Sequence, residues 1–141
     1  MKDLVSIAID APLDIAARLF ADPALAPLWM KEMAYKPLAG EPGAPGSTYR
    51  LESTSGGMSF TVTVVARHHL HLEAPNVAVE VEARFTALSP RKTLLVSEET
   101  FRFKGLLARL FGGLAKHSIH RAHSDQMERF KAFAEARWRA S

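Results

Sequence analysis

Residues 47–103 alternate apolar and polar side chains over most of their length, which is the pattern of half-buried β-strands. Met58, Phe60 and Val62, for example, alternate with serine and threonine. The turn-forming sequences GG, APN and SPRK interrupt this alternation. The segment therefore predicts five antiparallel strands that are joined by hairpins, because short turns connect neighbouring antiparallel strands.

The period changes at Gly105, after which apolar residues recur at the spacing of an α-helix nearly to the end of the chain. Gly112–Gly113 predict a bend or break in this helix, since glycine weakens a helix interior. The predicted apolar stripe consists of Leu107, Leu110, Phe111, Leu114 and Ser118, continued by Ala122, Gln126, Phe130 and Phe133.

The N-terminal part of the chain adds a strand over residues 4–9 and two short helices. Pro12 and Pro23 fit the first turns of these helices, where proline is tolerated, and Pro27 keeps the second helix short. Residues 36–46 contain three prolines and three glycines, which predict a loop. The total is about six strands.

This order of elements predicts one α+β domain over residues 1–141. Its curved antiparallel sheet has about six strands, and the long C-terminal helix lies over the concave face. Two short helices complete the fold. The long amphipathic helix is the only predicted element that is able to cover that face of a twisted sheet.

Composition narrows the classes of function. The absence of cysteine excludes disulfides, thiolate metal sites and cysteine nucleophiles. No run approaches the ~20 apolar residues that span a bilayer, and the N-terminus lacks the apolar core of a signal peptide, so we expect a cytoplasmic protein. Residues 104–141 carry a net charge of +5, which is typical of a solvated helix face but could also contact anionic lipid. We expect no nucleic-acid binding, because this basic excess is small.

Three of the six histidines lie in the sequence HHLHLE, residues 68–73. A tight turn at APNV would place His69 opposite Glu82 and His71 opposite Glu80, on the outer face of the sheet. Cross-strand pairs of this kind stabilise an exposed face. A metal site is the alternative interpretation, but an outer face offers it no pocket, and we predict no metal site.

The remaining histidines also point in different directions from their strand or helix. His68 falls on the apolar face of its strand, either as a core-edge residue bonded to the backbone or as a polar group inside a cavity. His117, His120 and His123 spread over about 120° of the C-terminal helix, so the three cannot converge on one ion. His123 turns furthest towards the predicted apolar face.

Several of these features together resemble the START-like (SRPBCC) superfamily, which includes polyketide cyclase/dehydrase and lipid-transport proteins. They are the order of elements, the sequence IDAP before the first helix, LAPLW in the second, and the terminal sequences GLLARLFGGL and MERFKAFAE. The resemblance implies a helix-grip fold with a hydrophobic cavity between sheet and C-terminal helix. It also implies a lipid, polyketide, aromatic or similar apolar ligand. We expect no cofactor. A monomer or homodimer is expected.

The alternation and this fold together predict a ligand-binding set. In the family's arrangement, the end of the second helix lies near the cavity mouth. The predicted ligand-binding residues are Trp29, Met30, Met33, Tyr49, Leu51, Met58, Phe60, Val62, His68, Leu70, Val81, Glu99, Phe101 and His123.

One acid of the sequence SEETF must point inward, and the phase of Leu95 and Phe101 favours Glu99 over Glu98. Glu99 is either a ligand anchor or acid/base group, or a residue at the sheet rim that reaches solvent. The sequence thus predicts a carrier or sensor of an apolar molecule. The alternatives are a cyclase- or dehydratase-type enzyme that uses Glu99, His68 and Tyr49, and a protein that handles quinones or lipids at a membrane surface.

Overall fold

The structure, a computed structural model, describes residues 1–105 and 115–141 with their side chains. A seven-stranded antiparallel sheet and three helices make up the fold, with a short 3-10 turn over Pro23–Leu25. The elements are β1 (Lys2–Ile9), α1 (Leu13–Ala21), α2 (Ala26–Trp29), β2 (Met33–Ala39), β3 (Thr48–Ser53), β4 (Phe60–Ala66), β5 (His69–Ala74), β6 (Val77–Ser89), β7 (Lys92–Phe103) and α3 (Leu106–Arg139).

The strands are arranged in the order β1-β7-β6-β5-β4-β3-β2, so the first strand pairs with the last and the sheet curves beneath α3. The predicted fold class is confirmed, but the strand count is seven and not six. The additional strand is β2, where the sequence analysis placed the end of a helix and the start of a loop. It is an exposed edge strand that pairs with β3 alone.

An edge position explains why β2 was missed. Only Met33 and Tyr35 of this strand are partly buried, so its alternation of apolar and polar side chains is short. An edge strand also tolerates Pro37, which lacks a backbone N–H. The pairing with β3 shifts register immediately after Pro37.

The predicted hairpin between β5 and β6 is confirmed, with His69 opposite Glu82 and His71 opposite Glu80. The same register continues into β7, where Val81 lies opposite Glu99. Alternation along β6 and β7 therefore sets which side chains face α3.

The core is formed where α3 crosses β1 and the first helices. Phe130 and Met127 of α3 pack with Ile9, Leu95 and Trp29. Among the described residues of α3, the buried side chains are His123, Met127, Phe130 and Ala134, so the stripe there is rotated from the predicted one. Ala122 and Gln126, which the sequence placed in the stripe, line cavities beside it. The predicted bend and the first part of the predicted stripe lie outside the residues whose side chains are described.

Among the described residues, no helix combines the length and the apolar character that a membrane crossing requires.

Candidate functional site

A cavity of about 70 Å³ lies between the concave face of the sheet and the helices. Its walls are mainly aromatic and aliphatic, and its polar side chains include Tyr49, His68, Ser97 and Glu99. It is lined by Phe20, Ala21, Asp22, Pro23, Ala26, Trp29, Met30, Tyr49, Leu51, Val64, Arg67, His68, Leu70, Leu72, Val81, Ser97, Glu99, Gln126 and Met127.

Two further spaces adjoin this inner cavity. A middle space of about 240 Å³ is bounded by Phe60, Phe101 and Ile119, among others, and an outer groove of about 290 Å³ runs past Met33 and Met58. Met30 and Gln126 line all three spaces, which therefore meet around these two side chains.

Glu99 lies on the wall that the inner cavity and the middle space share, and 15% of its side chain is exposed. The alternation of β7 turns it inward, while its neighbour Glu98 lies 3.5 Å from Lys2 and 3.8 Å from Arg84 on the other face. Burial, and then the negative charge of Asp3, raise the pKa of Glu99 to about 7. Glu99 can therefore hold or release a proton near neutral pH.

Asp3 is the partner of Glu99 across the β1–β7 pair, on the same face of the sheet. One of its oxygens, Oδ2, lies 2.8 Å from Nδ1 of His123, whose Nε2 lies 2.9 Å from Oγ of Ser97. Because a carboxylate only accepts, Nδ1–H of His123 donates to Asp3 and the Ser97 hydroxyl donates to Nε2. Burial, as the largest effect, lowers the pKa of His123, which favours the neutral ring.

The order Ser97–His123–Asp3 is that of a hydrolase triad, but the position of the serine differs. The Ser97 side chain is fully buried in the middle of β7, between β1 and β6. Its hydroxyl orients the imidazole of His123. Ser97 borders the inner cavity and His123 borders the middle space, while Glu99 borders both.

The second oxygen of Asp3 contacts a histidine at the protein surface. Oδ1 lies 2.9 Å from Nδ1 of His120, whose side chain is 54% exposed. His117 lies further along the exposed surface of α3, next to Arg121. Of the three helix histidines, only His123 lines one of the three spaces, and His120 joins it through Asp3.

His68 also lines the inner cavity. Its Nε2 lies 3.3 Å from the carbonyl oxygen of Ala17, and its ring packs against Phe85 with 4.9 Å between centroids. Burial lowers the pKa of His68, so the neutral ring is favoured. A neutral ring that donates Nε2–H to Ala17 leaves Nδ1 as an acceptor.

Tyr49 lines the inner cavity beside Leu51, and its ring lies edge-on to Tyr35. Burial is the main cause that raises the pKa of the Tyr49 hydroxyl well above its ordinary value. The hydroxyl therefore keeps its proton, and it can act as a hydrogen-bond donor but not as a base near neutral pH.

The other predicted ligand-binding residues occupy four different places. Trp29, Leu70 and Val81 line the inner cavity, while Met30 lines all three spaces. Phe60 lines the middle space and the groove, Phe101 the middle space, and Met33 and Met58 the groove, where Met58 is exposed. Val62 is fully buried in the core and lines none of the three spaces.

Trp29 also carries an unusual polar atom. Among the described residues, its indole Nε1 is a buried donor without a hydrogen-bond partner. The ring stacks on Phe20 and packs edge-on against Phe130.

On the outer face of the sheet, Glu80 lies 2.6 Å from Nε2 of His69 and also contacts Nδ1 of His71. His71 further lies 2.9 Å from Glu73, which pairs with Lys104. In the part of the chain that is described, no group of three or more histidine and acidic side chains is placed to hold a metal ion.

Sequence reasoning missed Asp3 and Ser97, although each carried a signal. Extending the alternation of Val5, Ile7 and Ile9 by one step places Asp3 on the buried face of β1. Ser97 lies midway between Leu95 and Glu99, both of which were assigned inward. Neither was taken as a candidate, because a small serine and an acid at the start of a strand do not strengthen an apolar pattern.

A comparison with protein families gives one match, over residues 4–135, to the family described as polyketide cyclase/dehydrase and lipid transport. A comparison with curated proteins found no match to this chain.

Solved structures share this fold at low sequence identity. A protein of Thermus thermophilus is 16% identical, with a TM-score of 0.79, and the match covers 96% of this chain and 98% of that one. The Zhui aromatase/cyclase from a Streptomyces species is also 16% identical, with a TM-score of 0.78 and coverage of 97% and 94%. A START superfamily protein from Mycobacterium smegmatis is 18% identical, with a TM-score of 0.64 and coverage of 90% and 97%.

Proposed function

Because this chain belongs to the polyketide cyclase/dehydrase and lipid transport family, we propose that it binds an apolar or aromatic small molecule between the sheet and α3. The observation that carries this proposal is the series of adjoining apolar spaces with Glu99 on a shared wall. Ligand sites are typically apolar and contain a few convergent polar groups that fix orientation.

The lining suits a ligand of variable shape. Met30 borders all three spaces, and Met33 and Met58 border the groove. Methionine side chains are flexible and polarisable, so they adapt to irregular apolar surfaces. Trp29 and Phe20 supply aromatic surface to the inner cavity.

Val81→Phe tests this proposal, because Val81 is buried in the middle of the sheet and borders the inner cavity. We expect the bulkier ring to weaken binding of the neutral dye Nile red by roughly tenfold, a loss of about 1.4 kcal/mol. Val65→Phe is the matched control, since Val65 is exposed on β4 and borders none of the three spaces.

Fluorescence titration of Nile red, with melting curves for each variant, gives the result. Equal affinity of the two folded variants would contradict binding in the inner cavity. Failure of the wild-type protein to bind the dye or any competing apolar aromatic would contradict the proposed function itself.

A second candidate function is cyclase- or dehydratase-type acid–base catalysis, and the buried Glu99 favours it. A carboxyl that exchanges its proton near neutral pH suits general acid–base chemistry. The observable reaction is loss of water from an aromatic β-hydroxyketone, followed through the absorbance of the enone. Glu99→Gln should abolish this turnover while Nile red binding persists, and turnover at the wild-type rate would exclude Glu99 as the acid–base group.

A further inference from the structure

We propose that Glu99, held beside the cluster Asp3–His123–Ser97, is a hydrogen-bond donor site for the carbonyl or hydroxyl oxygen of an otherwise apolar ligand. This inference rests on the proposed binding function and specifies the chemistry of the ligand's polar end. A ligand oxygen that lies against the wall shared by the inner cavity and the middle space would contact Glu99 directly.

The hydrogen bonds inside the cluster leave Glu99 available to a ligand. Asp3 accepts the Nδ1–H of His123 at 2.8 Å, and the Ser97 hydroxyl donates to the other ring nitrogen at 2.9 Å. Glu99 Oε1 approaches the same Nδ1 only to 3.4 Å, which is long for a hydrogen bond. The carboxyl of Glu99, beside this cluster, therefore has capacity for a further partner.

The charges around Glu99 favour a neutral ligand group over an anion. From β1 the facing group is Asp3, whose side chain is 9% exposed, and from α3 it is His123, with His120 behind Asp3. An anionic group placed at Glu99 would lie beside the carboxylate of Asp3 and be repelled.

The remaining titratable groups around the inner cavity lie on other elements. Tyr49 lies on β3, and Arg67 and His68 immediately precede β5. Asp22 caps the short turn before α2. His68 and Tyr49 are uncharged near neutral pH, because burial lowers the pKa of the former and raises that of the latter. Arg67 is exposed, so its charge is largely screened by solvent.

The protonation state of Glu99 predicts how ligand binding depends on pH. Below its pKa of about 7 the carboxyl carries a proton that it can donate to a ligand oxygen. Above that pH it becomes a carboxylate, which only accepts. Binding of an oxygen acceptor should therefore weaken as pH rises through about 7, whereas binding of a ligand without oxygen should not.

The experiment compares methyl naphthyl ketone with ethylnaphthalene, which has a similar shape and no oxygen. Displacement of Nile red from the wild-type protein gives both affinities at about pH 6 and about pH 8. At about pH 6 we expect the ketone to bind roughly fivefold to tenfold more tightly than ethylnaphthalene. At about pH 8 this preference for the ketone should be smaller.

Four variants separate the contributions. Glu99→Leu should abolish the preference for the ketone, while Glu99→Gln keeps an N–H donor and should retain the preference without its pH dependence. Asp3→Asn should move the midpoint of the pH dependence to lower pH, because it removes the negative charge beside Glu99. Glu98→Gln, on the other face of β7, is the control and should behave as the wild type.

The outcomes distinguish this inference from the function on which it rests. If neither naphthalene compound displaces the dye, both proposals fail. If both compounds bind with equal affinity at both pH values, the cavity binds apolar molecules and the donor role of Glu99 is wrong. A preference that persists in Glu99→Leu would also overturn that role.

Discussion

Two clusters of histidine and carboxylate face opposite sides of the same sheet, and their electrostatics differ. On the inner face, Asp3 contacts His123 and stands next to Glu99. On the outer face, Glu80 and Glu73 contact His71. The pKa of the outer histidine is raised, chiefly by its hydrogen bond to Glu80, whereas burial lowers the pKa of the inner one.

The comparison shows that burial, more than the identity of the partner, decides the charge that such a cluster carries. In the half-exposed outer cluster, water solvates the ions and ion pairing dominates. In the inner cluster, desolvation penalises each charge, so the pKa of Glu99 rises and that of His123 falls. The inner cluster therefore contains a carboxyl, Glu99, that can gain or lose a proton near neutral pH, whereas the outer cluster consists of half-exposed ion pairs.

Removing the shared acid of the inner cluster should have the largest effect. Asp3→Ala leaves Nδ1–H of His123 buried without its acceptor, and we expect a loss of about 3 kcal/mol in the free energy of unfolding. Urea denaturation at neutral pH measures it. Glu80→Ala on the outer face should cost about 1 kcal/mol or less. Equal losses for the two variants would contradict the proposed difference between the inner and the outer cluster.

The second effect is a pH dependence of stability that originates at Glu99. Its pKa of about 7 in the folded protein exceeds the ordinary value of 4.5, so its contribution is fully present below pH 4.5 and is lost as pH rises towards 7. Glu99→Gln lacks this loss. Relative to the wild type it should gain on the order of 2–3 kcal/mol between about pH 4.5 and about pH 8, as followed by denaturation at each pH. A constant difference between the two proteins would contradict a raised pKa.

The smallest effect belongs to the outer cluster. Because the pKa of His71 is raised, its contribution to stability is present below pH 6.5 and is lost as pH rises through the raised value. His71→Gln should therefore cost less than about 1 kcal/mol at about pH 6, and less still at about pH 8 or in high salt. Melting curves at both pH values check this. A salt-insensitive loss larger than that of Asp3→Ala would reverse the roles of the two faces.

The sequence predicted those features that depend on alternation. The register of His71 against Glu80 and the inward phase of Glu99 both follow from a period of two within long hairpins. β2 was missed because only Met33 and Tyr35 of this edge strand are partly buried, and so short an alternation does not predict a strand. The buried stripe of α3 was misplaced because Gln126 faces a cavity, while the polar His123 is buried against Asp3.

The inner cluster itself could not be assembled from sequence spacing. Asp3, Ser97 and His123 lie on three elements that are distant in the chain, and only the pairing of β1 with β7 beneath α3 brings them together. A resemblance to a fold family implies the cavity. It does not imply which polar side chains stand at its wall.

A titration of the Glu99 carboxyl by carbon-13 NMR, without and with saturating methyl naphthyl ketone, measures the protonation of the proposed donor itself. We predict a midpoint near pH 7 in the free protein, and a higher midpoint with the ketone bound, because a ligand that binds the protonated form stabilises it. A midpoint near the ordinary value of 4.5, unchanged by the ketone, would contradict both the buried acid and its role in ligand binding.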